Sequence, residues 1–284
     1  AAYEKVLQEN EVAQALEANN LAPRPTLVMR PGLAEVEELA PAVPTVYSPF
    51  GAVLDGAPGD LAAVREGRAG VQDEGSQLVC LALTRVEAPS GPWLDLCAGP
   101  GGKSALLAGL ARQRGEHLVA NEVAAHRAKL VEQTLAVYPP GTASVICSDG
   151  CDPEPVRRHA PFARIMVDAP CSGLGALRRR PEARWRRTPA DLAELVSLQR
   201  ALLETAIGLL VPGGVAAYVT CSPHADETAA IVEAALKNNP HMELLDAAAL
   251  LPEVPGAARG GYVQLWPHRH GTDAMFLALL RGTS

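Results

Sequence analysis

The chain has 284 residues, 48% of them hydrophobic, and a formal net charge of −7, which is material for a sizeable core in one large domain or two modest ones. No run approaches the roughly 18 uncharged apolar residues that a membrane span needs, and the N-terminus is charged at once, unlike a signal peptide, so the expected compartment is the cytoplasm and no membrane partner is expected. Six cysteines in a chain of this length read as reduced thiols rather than a disulfide framework; only Cys147 and Cys151 lie close together, with no second pair at ligand spacing, so no metal is expected.

The chain begins at Ala1 inside a helical pattern, YEKVLQENEVAQALEANN, as a piece of a longer protein would. A region rich in proline and glycine follows, with short apolar runs that read as strands and turns. Residues 1–70 are therefore expected to form a small N-terminal α+β accessory unit, and 71–284 the main domain. The charge divides unevenly. Residues 1–75 hold 5 basic and 12 acidic residues, leaving 20 of each for the remainder. Within that neutral remainder, RRRPEARWRR from Arg178 to Arg187 is a local basic patch that the whole-chain charge conceals.

From Trp93 onward, short apolar runs alternate with helix-periodic segments. WLDLC, HLVANE, SVICSD, RIMVDA and VAAYVTC are candidate buried strands; KSALLAGLARQ, AAHRAKLVEQTLAVY and PADLAELVSLQRALLETAIGLLVPGG are candidate helices, the last expected to stop at Gly213-Gly214. Such alternation implies an α/β fold, a parallel sheet covered on both faces, with ligands bound at the carboxyl ends of its strands.

The first strand leads into LDLCAGPGGKS. A phosphate loop ending in Gly102-Lys103-Ser104 requires glycine at position 97, which is Cys97, and Pro100 lacks the N–H that a phosphate nest would use. The dinucleotide fingerprint fails too, since Ser104 follows Gly99 and Gly101 where the third glycine should be. What remains is Asp95, Gly99 and Gly101 after one strand and Glu122 after the next, a spacing suited to hydrogen-bonding two ribose hydroxyls. Asp149 after the third strand is suited to an adenine amine, and Asp168 ends the fourth. Four strands each ending in an acid are characteristic of S-adenosylmethionine sites.

The fourth strand runs into DAPCSG and the fifth into TCSPH, so Cys171 and Cys221 should lie together at the cofactor edge. Carbon 5 of a pyrimidine is a poor nucleophile. A thiolate adding to carbon 6 makes carbon 5 reactive toward a sulfonium methyl, and the adduct must then be resolved, which gives a use for two cysteines. Spacing alone does not say which is the nucleophile.

These segments resemble the bacterial RsmB-type and eukaryotic NSUN RNA cytosine-5 methyltransferases. LDLCAGPGGK is similar to their cofactor motif, with Gly99 in place of a second alanine, and DAPCSG and TCS to their two cysteine motifs; DNA cytosine methyltransferases lack the second. VQDEGSQLV (71–79) and WPHRHGTDAMFLALL near the C-terminus also match family segments. The resemblance implies a Rossmann-like class I methyltransferase with a mostly parallel seven-stranded sheet, S-adenosyl-L-methionine as cofactor, and 5-methylcytosine formation in RNA, ribosomal before transfer RNA. It implies Cys221 as nucleophile, Cys171 as helper in release, Asp168 near the reacting methyl, and Cys97, Ala98, Gly99, Pro100, Gly101, Gly102, Lys103, Glu122, Asp149 and Asp168 around the cofactor. The alternative from another class is a ribosome-assembly factor that keeps the fold without turnover. The chain departs from the family at Asp273-Ala274-Met275-Phe276, where Asp-Gly-Phe-Phe is usual, and at SPHADET. The helical RNA-binding domain of the bacterial members has no counterpart in these residues. Because the basic patch begins seven residues after Cys171, Arg178, Arg179, Arg180, Arg184, Arg186 and Arg187 are expected to hold RNA phosphates, and Trp185 to stack on a base or pack inward.

Overall fold

A computed structural model describes residues 2–186 and 188–283. Two sheets organise them. The smaller is antiparallel, in the order β2-β3-β1-β4, built from β1 (Thr26–Met29), β2 (Val43–Pro44), β3 (Gly51–Val53) and β4 (Ala69–Val71). Strand alternation divides β1 between two cores: Leu27 and Met29 join Leu39, Ala52 and Ala69, while Val28 faces the core of the larger sheet. The helix Glu9–Ala18 lies elsewhere. Its Ala15, with Tyr3 and Leu7, packs on Trp266 and Ala274 near the other end of the chain.

The larger sheet contains β5 (Trp93–Asp95), β6 (Leu118–Asn121), β7 (Ala143–Ile146), β8 (Phe162–Asp168), β9 (Leu210–Thr220), β10 (Met242–Leu245), β11 (Ala258–Arg259), β12 (Tyr262–Gln264) and β13 (Phe276–Gly282). Its order is β11-β12-β13-β9-β8-β5-β6-β7, with β10 also on β13. The strands β7, β6, β5, β8 and β9 pair in parallel, and every pairing of β10 to β13 is antiparallel. The sheet is thus mixed and nine-stranded, where seven strands, mostly parallel, were expected. The β11–β12 hairpin, too short to register as periodicity, supplies the extra two.

Both faces are buried, as alternating side chains show. Trp93, Leu118, Ala120, Met166, Val215 and Ala217 face the helices Glu74–Arg85 and Gly102–Gln113; Leu94, Val119, Ile165, Val167, Ala216 and Tyr218 face the helices Pro189–Ile207 and Ala229–Asn238. The long helix ends at Ile207, not at Gly213-Gly214. Those glycines belong to β9, where Phe162 faces Leu210 but Arg164 faces Val215, so residues 211–214 bulge out of register. Gly213 has φ +75°, a conformation that favours glycine. Among the described residues no helix is long and apolar enough to cross a membrane. Strand order reverses at β5, which pairs with β6 on one side and β8 on the other. The carboxyl ends of β5 and β8 therefore flank the crevice where a ligand can enter.

Candidate active site

The loop after β5 is anchored to both neighbouring strands: Leu96 N–H donates to Met166 O at 2.9 Å and Ala98 N–H to Asn121 O at 2.8 Å. Asp95 closes the loop from below, accepting from Ser104 Oγ at 2.6 Å. It is fully buried, and burial pushes its carboxyl up to about 7. Asp95 thus faces the interior rather than the ligand edge. Gly101 has φ +110° and caps the helix Gly102–Gln113, whose first N–H groups open toward the crevice end of β5. Gly99 donates its N–H to Glu122 Oε2 at 3.0 Å, and a Cβ there would collide with that carboxylate. Glu122, 3% exposed, also accepts from Ala124 N–H at 3.0 Å. Cys97 and Ala98 line the inner side of the loop, Pro100 is exposed, and Asp149, exposed after β7, accepts from Cys151 N–H at 2.9 Å. Glycine backbone, a helix N-terminus and carboxylates after β6 and β7 together fit a ligand with an adenosine and an amino-acid end.

The two cysteines meet. Cys171 Sγ, in the loop after β8, lies 3.3 Å from Cys221 Sγ, at the end of β9. A hydrogen bond from Cys171 holds the Cys221 thiol below its ordinary value; burial opposes this, and so do Asp168 and Asp273, while Lys103 assists. The same bond raises Cys171 well above the ordinary range, reinforced by burial and by the facing charges of Cys221 and Glu227. Lys103 Nζ donates to Asp168 Oδ2 at 2.7 Å. Burial works against the Lys103 ammonium, but Asp168, together with Cys80 and Cys221, outweighs it, and the Lys103 pKa is raised. The pair is thereby split into one thiolate-prone sulfur and one that keeps its proton.

The basic segment divides. Arg178, with its side chain 8% exposed, donates to Asp273 Oδ1 at 3.0 Å and Gly271 O at 2.9 Å and lies 3.4 Å from Asp73 Oδ2. Arg179 donates to Asp73 Oδ2 at 2.9 Å and Asp273 Oδ2 at 3.2 Å. These two arginines, expected at the surface, instead neutralise two buried aspartates, because a charge removed from water needs a partner. Arg184 holds Asn19 O and Asn20 Oδ1 at 3.0 and 2.8 Å. Arg180, Arg186 and Trp185 are exposed, the indole to 77%. Arg187 lies outside the described residues.

Sequence reasoning missed Asp73, Gln199 and Glu227, and gave Ser172 and Ser222 no role. The serine immediately after each cysteine was the available signal.

A family model described as 16S rRNA methyltransferase RsmB/F matches residues 80–281. A Mycobacterium tuberculosis protein named as a methyltransferase, Rv1407, is 52% identical over 282 residues, covering 95% of this chain and 59% of the relative. Ribosomal RNA small subunit methyltransferase B of Pasteurella multocida is 36% identical over 230 residues, 78% of this chain and 48% of that protein. The chain thus spans about half the length of such curated relatives. Among solved structures, PH0851 superposes with a TM-score of 0.83 at 27% identity over 98% of this chain and 64% of that one. NSun6 from Pyrococcus horikoshii, solved with SFG, gives 0.81 at 17% identity over 99% and 97%, a likeness of fold. With the matched region running from within the helix Glu74–Arg85 to within β13 and enclosing both cysteines, the chain belongs to the 16S rRNA methyltransferase RsmB/F family.

Proposed function

We propose that this chain carries the catalytic part of an RNA cytosine-5 methyltransferase acting on ribosomal RNA through a covalent cysteine adduct. The observation that carries the reading is the 3.3 Å approach of Cys171 and Cys221 beside the Lys103–Asp168 ion pair. S-adenosyl-L-methionine is the methyl donor of the family, and when bound it supplies an electrophilic methyl on a sulfonium. Glu122 would hold its ribose, Asp149 its adenine amine, and the backbone of residues 97–103 its amino-acid end.

Cys221, favoured as thiolate by Cys171 and Lys103, adds to carbon 6 of the cytosine, and carbon 5 then accepts the methyl. Asp168 lies beside that reaction, its charge partnered by Lys103. Release requires loss of the carbon 5 proton and departure of the Cys221 sulfur. Cys171 is the group suited to take that proton. Once Cys221 is a neutral thioether, the charge that opposed Cys171 ionisation is gone, so Cys171 can release its own proton to solvent and take the carbon 5 proton as a thiolate. The target cytosine must leave its stack to reach such a pocket. Arg180, Arg186 and Trp185 are suited to contact phosphates and a base around it. The unit of residues 1–70 is assigned to positioning RNA.

The test incubates the protein with labelled cofactor and total RNA from cells lacking it, then maps the methylated base. 5-Methylcytosine in small-subunit ribosomal RNA is the expected product; no incorporation into RNA would overturn the reading, and label in transfer RNA would move the substrate. Cys171→Ala is expected to accumulate a covalent RNA adduct and Cys221→Ala to form none.

A further inference from the structure

Glu227 lies in the short turn Ala225–Glu227 after β9, at 0% exposure. A buried carboxyl is costly unless its oxygens are hydrogen-bonded, and this one is met by four donor atoms. Oε1 accepts from Ser172 N–H at 2.7 Å and Gln199 Nε2 at 3.1 Å; Oε2 accepts from Ser222 Oγ at 2.6 Å and from Ser172 Oγ. Such a set suits an ionised carboxylate, which only accepts. Two of these donors stand next to the cysteines in sequence: Ser172 follows Cys171, and Ser222 follows Cys221. Gln199, on the helix Pro189–Ile207, also donates to Pro170 O at 2.8 Å, just before Cys171.

We propose that Glu227 is the positioning residue of the cysteine pair: its buried carboxylate fastens the loop after β8 to the loop after β9 and so sets Cys171 Sγ against Cys221 Sγ. This rests on the reading of those two thiols as nucleophile and helper. A second tie, Gly175 N–H to Cys221 O at 2.9 Å, joins the same loops independently. Loss of Glu227 therefore alters the register of the loops without separating them. The carboxylate has an electrostatic part as well, since its charge faces Cys171 and discourages ionisation there. The other charged or titratable groups around the pair are Lys103, Asp168 and Asp273 toward Cys221, with Tyr218 beneath Cys171 and Glu227.

The experiment reads the thiols directly. The chain, Glu227→Ala, and the double variant Ser172→Ala/Ser222→Ala are alkylated with iodoacetamide from pH 6 to 10, and the rates at Cys171 and Cys221 are separated by peptide mass spectrometry. Thermal melting checks folding. Glu227→Ala is expected to move the Cys221 midpoint up by about one pH unit and to reduce its selectivity over Cys171 about tenfold, reactivity following the thiolate fraction. Glu227→Gln, which keeps an acceptor oxygen, should recover part of that selectivity, and the serine double variant should shift in the same direction as Glu227→Ala. A folded Glu227→Ala with the unaltered profile would overturn the proposal; if that variant does not fold, an unaltered profile in the serine double variant does so. RNA methylation is measured in parallel. A shifted thiol profile in a protein that methylates no RNA would overturn the functional reading while supporting the clamp.

Discussion

Asp95 ends β5 and Lys103 lies in the first turn of the helix Gly102–Gln113, at the two ends of the same loop, and burial affects them in opposite ways. The Lys103 ammonium favours the Cys221 thiolate, so Lys103→Met is expected to slow alkylation of Cys221 at neutral pH and to move its midpoint upward. Asp95, raised to about 7 by burial, holds a proton in the folded chain that the unfolded chain releases near pH 4. Its contribution to stability is therefore complete below pH 4 and is lost as pH rises to about 7, on the order of 4 kcal/mol in all. Melting of Asp95→Asn against the parent between pH 4.5 and 8 should show the variant gaining relative stability with pH; parallel curves would refute this. Gly99 was legible from its place in the loop, and the collision of a Cβ with Glu122 gives its reason. Gly99→Ala should weaken cofactor binding about tenfold or more, as measured by calorimetry, because the clash displaces the carboxylate proposed to hold the ribose. Glu227 was illegible: its partners lie 55, 28 and 5 residues away, and no local period marks a carboxylate that serves two loops.

Among the elements, those with a long apolar period were readable and those shaped by pairing were not. Each of the five parallel strands overlaps a run recognised by its apolar residues, although β7, β8 and β9 begin at Ala143, Phe162 and Leu210, ahead of those runs, and the helices between them followed from helical periodicity. The hairpin β11–β12 has two and three residues, too few for a period, and owes its existence to the edge that β13 offers. Glycine ends helices, so Gly213-Gly214 reads in the sequence as a helix stop, but in the fold it makes the β9 bulge. At φ +75°, Gly213→Ala should cost about 1 kcal/mol in denaturant unfolding. An equal stability would mean that the bulge relaxes freely.

Across the whole molecule, the small-sheet region is joined to the main domain through Val28 in the larger core and through hydrogen bonds to Glu74 and Gln77. Arg30, the residue after β1, donates to Thr134 O at 2.8 Å, and the Thr134 side chain packs 3.0 Å from where a Gly101 Cβ would stand. The accessory region thus touches the back of the cofactor loop, a contact that no composition shift near residue 70 could reveal. The arginine run also acquires its meaning only in three dimensions, since Arg178 and Arg179 tie Asp73 to Asp273 across 200 residues, leaving Arg180 and Arg186 outward. Replacing those two with glutamine should weaken RNA binding and flatten its dependence on salt by about one to two counterions. Arg178→Gln should instead lower the melting temperature.

The closeness of the two sulfurs has a cost in an oxidising setting. A peroxide that converts the Cys221 thiolate to a sulfenic acid leaves it 3.3 Å from a second thiol, which can displace water and close a disulfide, the peroxide taking up the two electrons. A protein kept without reductant should lose both thiols to alkylation together and recover them with dithiothreitol, so its shelf life is set by the redox state of its buffer as much as by its fold.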